Sequence, residues 1–173
     1  MQTLGFFVAK QTTQQGFTFT ELLVCLGVIA SLAAFATPGL QRLQERHRVD
    51  AARDQLLNDL QASRLRALQR SEPLQVARLR DCAWATSTET DWSCGWEIRL
   101  KSNSTVLQAS PLHTPLQVTF GKSTPLDVSA RGDLGNVGDR WVIRSRNTAL
   151  GIASVVCLNS TSRLRWQSGE SCN

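Results

Sequence analysis

The pattern of hydrophobic and polar positions changes twice along the 173-residue chain. Residues 17–37 form an apolar run in which Glu21 is the only charged side chain. An apolar α-helix needs about 20 residues to cross a bilayer, and this run has about that length. From Leu40 to Arg70 the apolar positions recur at helical spacing, and beyond Pro73 the period becomes two. The pattern therefore predicts a long helix followed by a β-rich region.

The helix is predicted to run from Phe17 to Arg70, broken or bent near Pro38 and Gly39. Ser71-Glu72-Pro73 ends it. Its second half carries an apolar stripe of Val49, Ala52, Leu56, Leu60 and Ala67, with Leu57, Leu65 and Leu68 beside it. We expect the first half to lie in a membrane or a filament core, and the second half to be covered by a globular head.

Strands with alternating hydrophobicity are predicted throughout the head. They are Leu74–Leu79, Gly95–Lys101, Thr105–Ala109, Leu116–Phe120, Leu126–Ala130, Arg140–Arg146, Ala153–Leu158 and Leu164–Gln167. Turn residues such as Ser102-Asn103-Ser104 and Asn159-Ser160-Thr161-Ser162 separate them. The expected fold class is α+β, with the helix packed against one or two antiparallel sheets.

The chain has five cysteines. Cys25 lies in the apolar run and is interpreted as a small buried hydrophobe. The other four lie in the head and allow three pairings. We predict Cys82–Cys94 with Cys157–Cys172, because each closes a short loop, and two disulfides indicate an oxidising compartment. A zinc site is the alternative, but there is no Cys-x-x-Cys, and His47 and His113 lie far from the cysteines in sequence. No metal or cofactor is predicted.

Catalytic motifs are absent from the sequence. It contains no Gly-x-Ser-x-Gly, no phosphate-binding glycine-rich loop before a helix and no His-Glu-x-x-His. A serine or cysteine nucleophile also needs a positioned partner, and the pattern offers none. We therefore predict that the protein is not an enzyme.

Charge gives a more specific indication of function, because the formal net charge is +5 and arginines concentrate near the C terminus. The period of two places five arginines on strand faces opposite the apolar side chains of Trp141, Ile143, Leu164 and Trp166. The arginines are Arg140, Arg144, Arg146, Arg163 and Arg165. If the two strands are near neighbours, the guanidinium groups share one surface that suits phosphate. The alternative is a face that is merely solvated or that pairs with acidic residues of a neighbouring subunit.

The N-terminal sequence Gly16-Phe17-Thr18-Phe19-Thr20-Glu21-Leu22-Leu23-Val24, with Pro38 beyond it, resembles the class III signal of type IV pilins and type II secretion pseudopilins. The resemblance implies that a prepilin peptidase cuts between Gly16 and Phe17 and methylates Phe17. It also implies that Glu21 neutralises the terminal amine of a neighbouring subunit during assembly.

The same resemblance implies a domain organisation. Residues 1–16 would be the leader peptide, residues 17–37 a transmembrane segment in the inner membrane, residues 38–72 the periplasmic half of the helix and residues 73–173 the head. The expected pilin fold has a periplasmic head that later becomes part of an extracellular pilus, and other pilins are the expected partners.

The head is similar to the GspH/FimT group of minor pilins in Cys94-Gly95-Trp96-Glu97-Ile98, in Ser129-Ala130-Arg131-Gly132 and in its basic terminal hairpin. Some FimT-type members bind DNA during natural transformation through a Gly-Arg-x-Arg motif, where this chain has Ser162-Arg163-Leu164-Arg165. The resemblance implies DNA capture by Arg163 and Arg165, helped by the three arginines of the earlier strand. The alternative is a subunit or pseudopilin that primes filament assembly and does not bind DNA.

Overall fold

The computed structural model describes residues 18–135 and 139–172, with only the backbone described for residues 34–38. The leader and the expected cleavage point between Gly16 and Phe17 lie outside these residues. The chain divides into two compact units between Leu40 and Gln41.

A single helix, α1, spans Phe19–Arg70 and contributes to both units. It is continuous through Pro38 and Gly39, so the helix is not broken there. A proline inside a helix removes one backbone hydrogen bond, and the apolar and helix-forming residues on either side maintain the helical backbone.

The described part of the first unit is helical and presents its apolar side chains to solvent. Cys25 is exposed among the described residues of this single chain, so they do not confirm its interpretation as a small buried hydrophobe. Within the described residues, no helix combines the length and apolar character needed to cross a membrane.

The second unit contains two four-stranded antiparallel sheets. Strand order is β3-β2-β1-β5 in the first sheet and β4-β6-β7-β8 in the second. The strands are β1 Leu74–Arg78, β2 Gly95–Leu100, β3 Val106–Pro111, β4 Leu116–Phe120, β5 Leu126–Val128, β6 Arg140–Ser145, β7 Ala153–Leu158 and β8 Leu164–Ser168. The predicted strands are confirmed, with small differences at their ends.

The core of the second unit lies between α1 and the sheets. The predicted stripe is buried, from Val49 to Ala67. Leu65 and Leu68, predicted to lie beside it, remain more than half exposed. The aromatic centre of the core is a stack of Phe120 on Trp141 with ring centroids 4.3 Å apart. Helix, sheets and core together give the α+β class that the sequence predicts.

Two disulfides, Cys82–Cys94 and Cys157–Cys172, are present. The first closes the loop that leads into β2, and the second joins the C-terminal segment to β7. Both disulfides join cysteines that are close in sequence, as predicted.

Candidate nucleic-acid interface

The second sheet has an inner face, which contributes Trp141, Ile143 and Val156 to the core, and an outer face. Arg140 on β6 pairs with Cys157 on β7, and Cys157 pairs with Arg165 on β8. Residues paired across strands project to the same face, so both arginines lie on the outer face, about 10 Å apart across two strand spacings.

Arg163 belongs to the same end of the outer face. It lies two residues before Arg165, and alternate residues of an extended chain share a face at about 6 to 7 Å spacing. Arg140, Arg163 and Arg165 are all exposed. We call these three residues the arginine cluster.

The arginine cluster has no ion-pair partner within the residues described. Acidic residues near it in sequence are engaged with other cations. Asp139 is ion-paired with Lys122 at 3.2 Å, and Glu170 with Arg144 at 3.4 Å. The cluster therefore presents uncompensated positive charge, which attracts polyanions.

The structure does not bring Arg144 and Arg146 into the arginine cluster. Arg144 also faces outward, but it lies four residues beyond Arg140, about 13 Å along the strand. It is partly buried and its charge is paired with Glu170. Arg146 follows the end of β6, and its guanidinium donates to the carbonyl oxygen of Trp84. Both residues lie towards the opposite end of the sheet.

Asn159 organises the turn that presents Arg163. Its side-chain oxygen accepts hydrogen bonds from the backbone N–H groups of Thr161 at 3.1 Å and Arg163 at 2.8 Å, and from the Thr161 hydroxyl at 2.9 Å. The backbone N–H of Asn159 donates to the carbonyl of Arg163 at 3.1 Å. The β7–β8 turn is therefore held by local hydrogen bonds, a role that Asn commonly has in turns.

Ser162 adopts the left-handed backbone conformation that glycine favours, with φ of 58°. Its carbonyl accepts a hydrogen bond from Arg64 of α1 at 3.1 Å, and Arg64 also donates to the carbonyl of Gly132 at 2.8 Å. Ser162 thus adopts the tight turn that glycine would otherwise favour. The helix holds the base of the hairpin through Arg64.

Trp166 lies on the inner side of β8, as the alternation predicts, but 51% of its surface is exposed. The residue beneath it is Arg53, whose guanidinium carbon lies 3.8 Å from the ring centroid, a cation–π contact. Trp166 is therefore a surface side chain beside the helix.

Glu21 lies in the first turn of α1 and is exposed. Its backbone N–H donates to the Thr18 hydroxyl at 3.3 Å, so Thr18 caps the helix. A negative charge is favourable at this end of a helix dipole. The residue therefore has a local stabilising role, and its carboxylate remains accessible.

The described part of the chain holds no group of three or more His, Cys, Asp or Glu side chains that could bind a metal ion. His47 and His113 are both exposed.

Comparison with solved structures finds two crystal structures of the type IV minor pilin FimU from Pseudomonas aeruginosa strain PAO1. One, in space group P21, has a TM-score of 0.59 and 18% identity, and covers 76% of this chain and 99% of the FimU chain. The other, in space group P65, has a TM-score of 0.55 and 20% identity, with coverages of 72% and 99%. No protein-family model matches the chain, and no curated protein matches its sequence. The likeness confirms the predicted pilin fold.

Proposed function

We propose that the protein is a minor type IV pilin that binds extracellular DNA for uptake in natural transformation. The pilin fold shared with FimU supports the first part. The observation that carries the second part is the arginine cluster, in which Arg140, Arg163 and Arg165 are exposed on one face without ion-pair partners among the described residues.

The proposed mechanism is electrostatic. Each guanidinium can donate two parallel hydrogen bonds to a phosphate, and neutralised phosphates release counterions, so affinity falls as salt rises. Phosphate contacts carry no base information. Binding of duplex DNA is therefore independent of sequence and sensitive to ionic strength.

Assembly would use the N-terminal part of α1. Prepilin peptidase would cleave between Gly16 and Phe17 and methylate Phe17, and the Glu21 carboxylate would meet the amine of a neighbouring pilin. The exposed apolar side chains from Phe19 to Leu32 supply a surface that helices of other pilins can cover.

That same exposed apolar surface favours a second candidate function. The protein would be a structural subunit that primes assembly of a pilus or of a type II secretion pseudopilus, with no role in DNA binding. The two candidates differ in whether the arginine cluster has a ligand.

The full-length protein, kept in mild detergent because of its exposed apolar helix, allows a direct test. We expect Arg163→Gln with Arg165→Gln to weaken binding of a labelled duplex in fluorescence anisotropy. The matched control is Arg144→Gln with Arg146→Gln, which removes the same charge from the other end of the sheet. Equal effects of the two double variants would reject the cluster as the site. Absence of binding by the wild type would favour the structural subunit.

A further inference from the structure

Trp166 is unusual among the five tryptophans, because it is the one that is 51% exposed. Trp92, Trp96 and Trp141 are buried, and Trp84 is partly buried. A large exposed aromatic is more informative than a buried one, since burial is the usual state of such a side chain. Arg53 contacts one side of the ring at 3.8 Å, so the ring is supported while much of its surface stays accessible.

The support beneath Trp166 is itself fixed. The Arg53 side chain is 9% exposed and is ion-paired with Asp50 at 2.7 Å and with Asp54 at 2.8 Å. These carboxylates compensate the charge of Arg53 and hold its guanidinium in place. Trp166 is therefore a pre-oriented aromatic surface, which lowers the entropy lost when a ligand stacks on it.

A groove of about 390 Å³ lies beside Trp166. It is bounded by Arg46, Val49, Asp50 and Arg53 of α1, by residues 150–154 and by residues 168–169. The volume falls within the range of about 300–1,000 Å³ that is typical of small-molecule sites. Arg46 is exposed and has no ion-pair partner among the described residues, so the rim of the groove carries a cation.

The position of β8 connects this groove to the arginine cluster. β8 is an edge strand of the second sheet, and in an extended strand neighbouring side chains point to opposite faces. Arg165 lies on the outer face and Trp166 on the inner face, with Cα atoms about 3.8 Å apart. One polymer running along the edge can therefore contact both sides of the strand.

We propose that this groove binds an unpaired base of single-stranded DNA, which stacks on Trp166 while its flanking phosphates contact Arg165 and Arg46. The inference rests on the proposed DNA-binding function and names the form of DNA that the site prefers. A nucleotide carries an anion and a flat π system together, which matches a cation and an aromatic on adjacent residues. Bases within a duplex are already stacked and paired, so they are not available to Trp166.

Stacking on an aromatic side chain tolerates every base, because each base has a π face. The site therefore adds affinity for single strands without adding sequence specificity. Duplex DNA would contact the arginine cluster alone.

The test compares two single-stranded ligands of equal length and charge, oligothymidylate and an abasic oligonucleotide, with the full-length protein in detergent. We expect oligothymidylate to bind about 5- to 150-fold more tightly, the factor that one base–aromatic stack supplies. Trp166→Leu should abolish the ratio, and Trp166→Phe should retain most of it. Neither substitution should change duplex affinity.

An unchanged ratio in Trp166→Leu would overturn the inference, as would a ratio of one in the wild type. If the Leu variant fails to fold, quenching of tryptophan fluorescence by oligothymidylate decides, because it should occur in the wild type and be lost in Trp166→Phe. Quenching that persists in the Phe variant would also overturn it.

The same quenching measurement distinguishes DNA from an acidic peptide. Quenching of Trp166 by polyglutamate but not by oligothymidylate would assign the groove to an acidic peptide and overturn the inference. A ratio of one in the wild type with duplex binding intact defeats this inference alone, whereas absence of all DNA binding by the wild type defeats the proposed function.

Discussion

Ser162 and Leu134 exchange two hydrogen bonds, although they are far apart in sequence. The Ser162 hydroxyl accepts from the backbone N–H of Leu134 at 3.0 Å and donates to the Leu134 carbonyl at 3.1 Å. Both residues are buried. The pair therefore fixes the turn that precedes Arg163 to a second loop, and the arginine is presented from a rigid base.

Replacement of Ser162 should separate its two roles. Ser162→Ala leaves the two Leu134 backbone groups unpaired and keeps the left-handed backbone, so we expect a loss of about 1–3 kcal/mol in unfolding free energy. Ser162→Gly also loses the hydrogen bonds but relieves about 1 kcal/mol of backbone strain. Urea unfolding should rank the wild type above Gly and Gly above Ala. An Ala variant as stable as the wild type would show that the Leu134 contacts contribute nothing.

Asp91 should make the unfolding free energy depend on pH in the acidic range. Burial raises the pKa of Asp91, but hydrogen bonds from Ser93 and Thr86 lower it by more, so the pKa lies below its ordinary value of 3.8. Its carboxylate accepts from the Thr86 N–H at 2.6 Å and the Ser93 N–H at 2.9 Å. A lowered folded-state pKa stabilises the fold above the unfolded pKa, and that stability is lost as pH falls through the folded pKa.

We expect Asp91→Asn to be less stable than the wild type at neutral pH by about 1–3 kcal/mol, and to lose less stability on acidification. The check is urea unfolding between about pH 2 and pH 6. Asp127 contributes with the same sign, because burial raises its pKa but Lys101 and Gln75 lower it by more. Only the difference between variant and wild type therefore reports on Asp91. Parallel pH profiles would contradict the assignment.

The Cys157–Cys172 disulfide should matter for stability more than for DNA binding. Cys157 lies between Arg140 and Arg165 on the outer face, but the turn before Arg163 is held by hydrogen bonds that do not involve the disulfide. Replacing both cysteines with serine should lower the unfolding free energy by about 3 kcal/mol, as the chain-entropy model gives for a loop of about 15 residues. Duplex affinity should remain close to that of the wild type. A loss of affinity comparable to that of Arg163→Gln with Arg165→Gln would show that the disulfide positions the cluster.

Glu21 can be tested against its own capping residue. Glu21→Ala should prevent incorporation into pili, measured by immunoblotting of sheared filaments from the native host. Thr18→Ala removes the hydroxyl that accepts the Glu21 N–H and should cost only about 1 kcal/mol of helix stability, so incorporation should persist. If both variants are lost from filaments, the contribution of Glu21 is to the start of the helix rather than to a neighbouring subunit.

The strands of the head could be predicted because alternation along one strand is a local property. Trp96 and Ile98 are buried while Glu97 is partly exposed, as a period of two requires. The buried stripe of α1 was predictable for the same reason at helical spacing. The burial of a polar residue on the same helix was not predictable. Asp59 is nearly buried because Trp96 and Gln108 donate to its carboxylate at 2.8 and 2.6 Å, and these partners lie on other strands.

The sequence predicts which strand face each arginine of the candidate site occupies, but not which arginines lie close together. Alternation indicates that Arg140 and Arg144 share a face, whereas strand register and the pairing of Arg144 with Glu170 decide which arginines cluster. The exposure of Trp166 depends on β8 being at an edge and on Arg53 lying beneath it. Neither fact can be inferred from the sequence around Trp166.

The salt dependence of duplex binding reports how many phosphates the arginine cluster neutralises. Each phosphate neutralised in duplex DNA contributes about 0.9 to the slope of log affinity against log salt concentration. We expect Arg163→Gln with Arg165→Gln to reduce the slope of the full-length protein by about 2, and Arg144→Gln with Arg146→Gln to leave it unchanged. Identical slopes for the wild type and the Arg163/Arg165 variant would show that these arginines do not contact DNA phosphates.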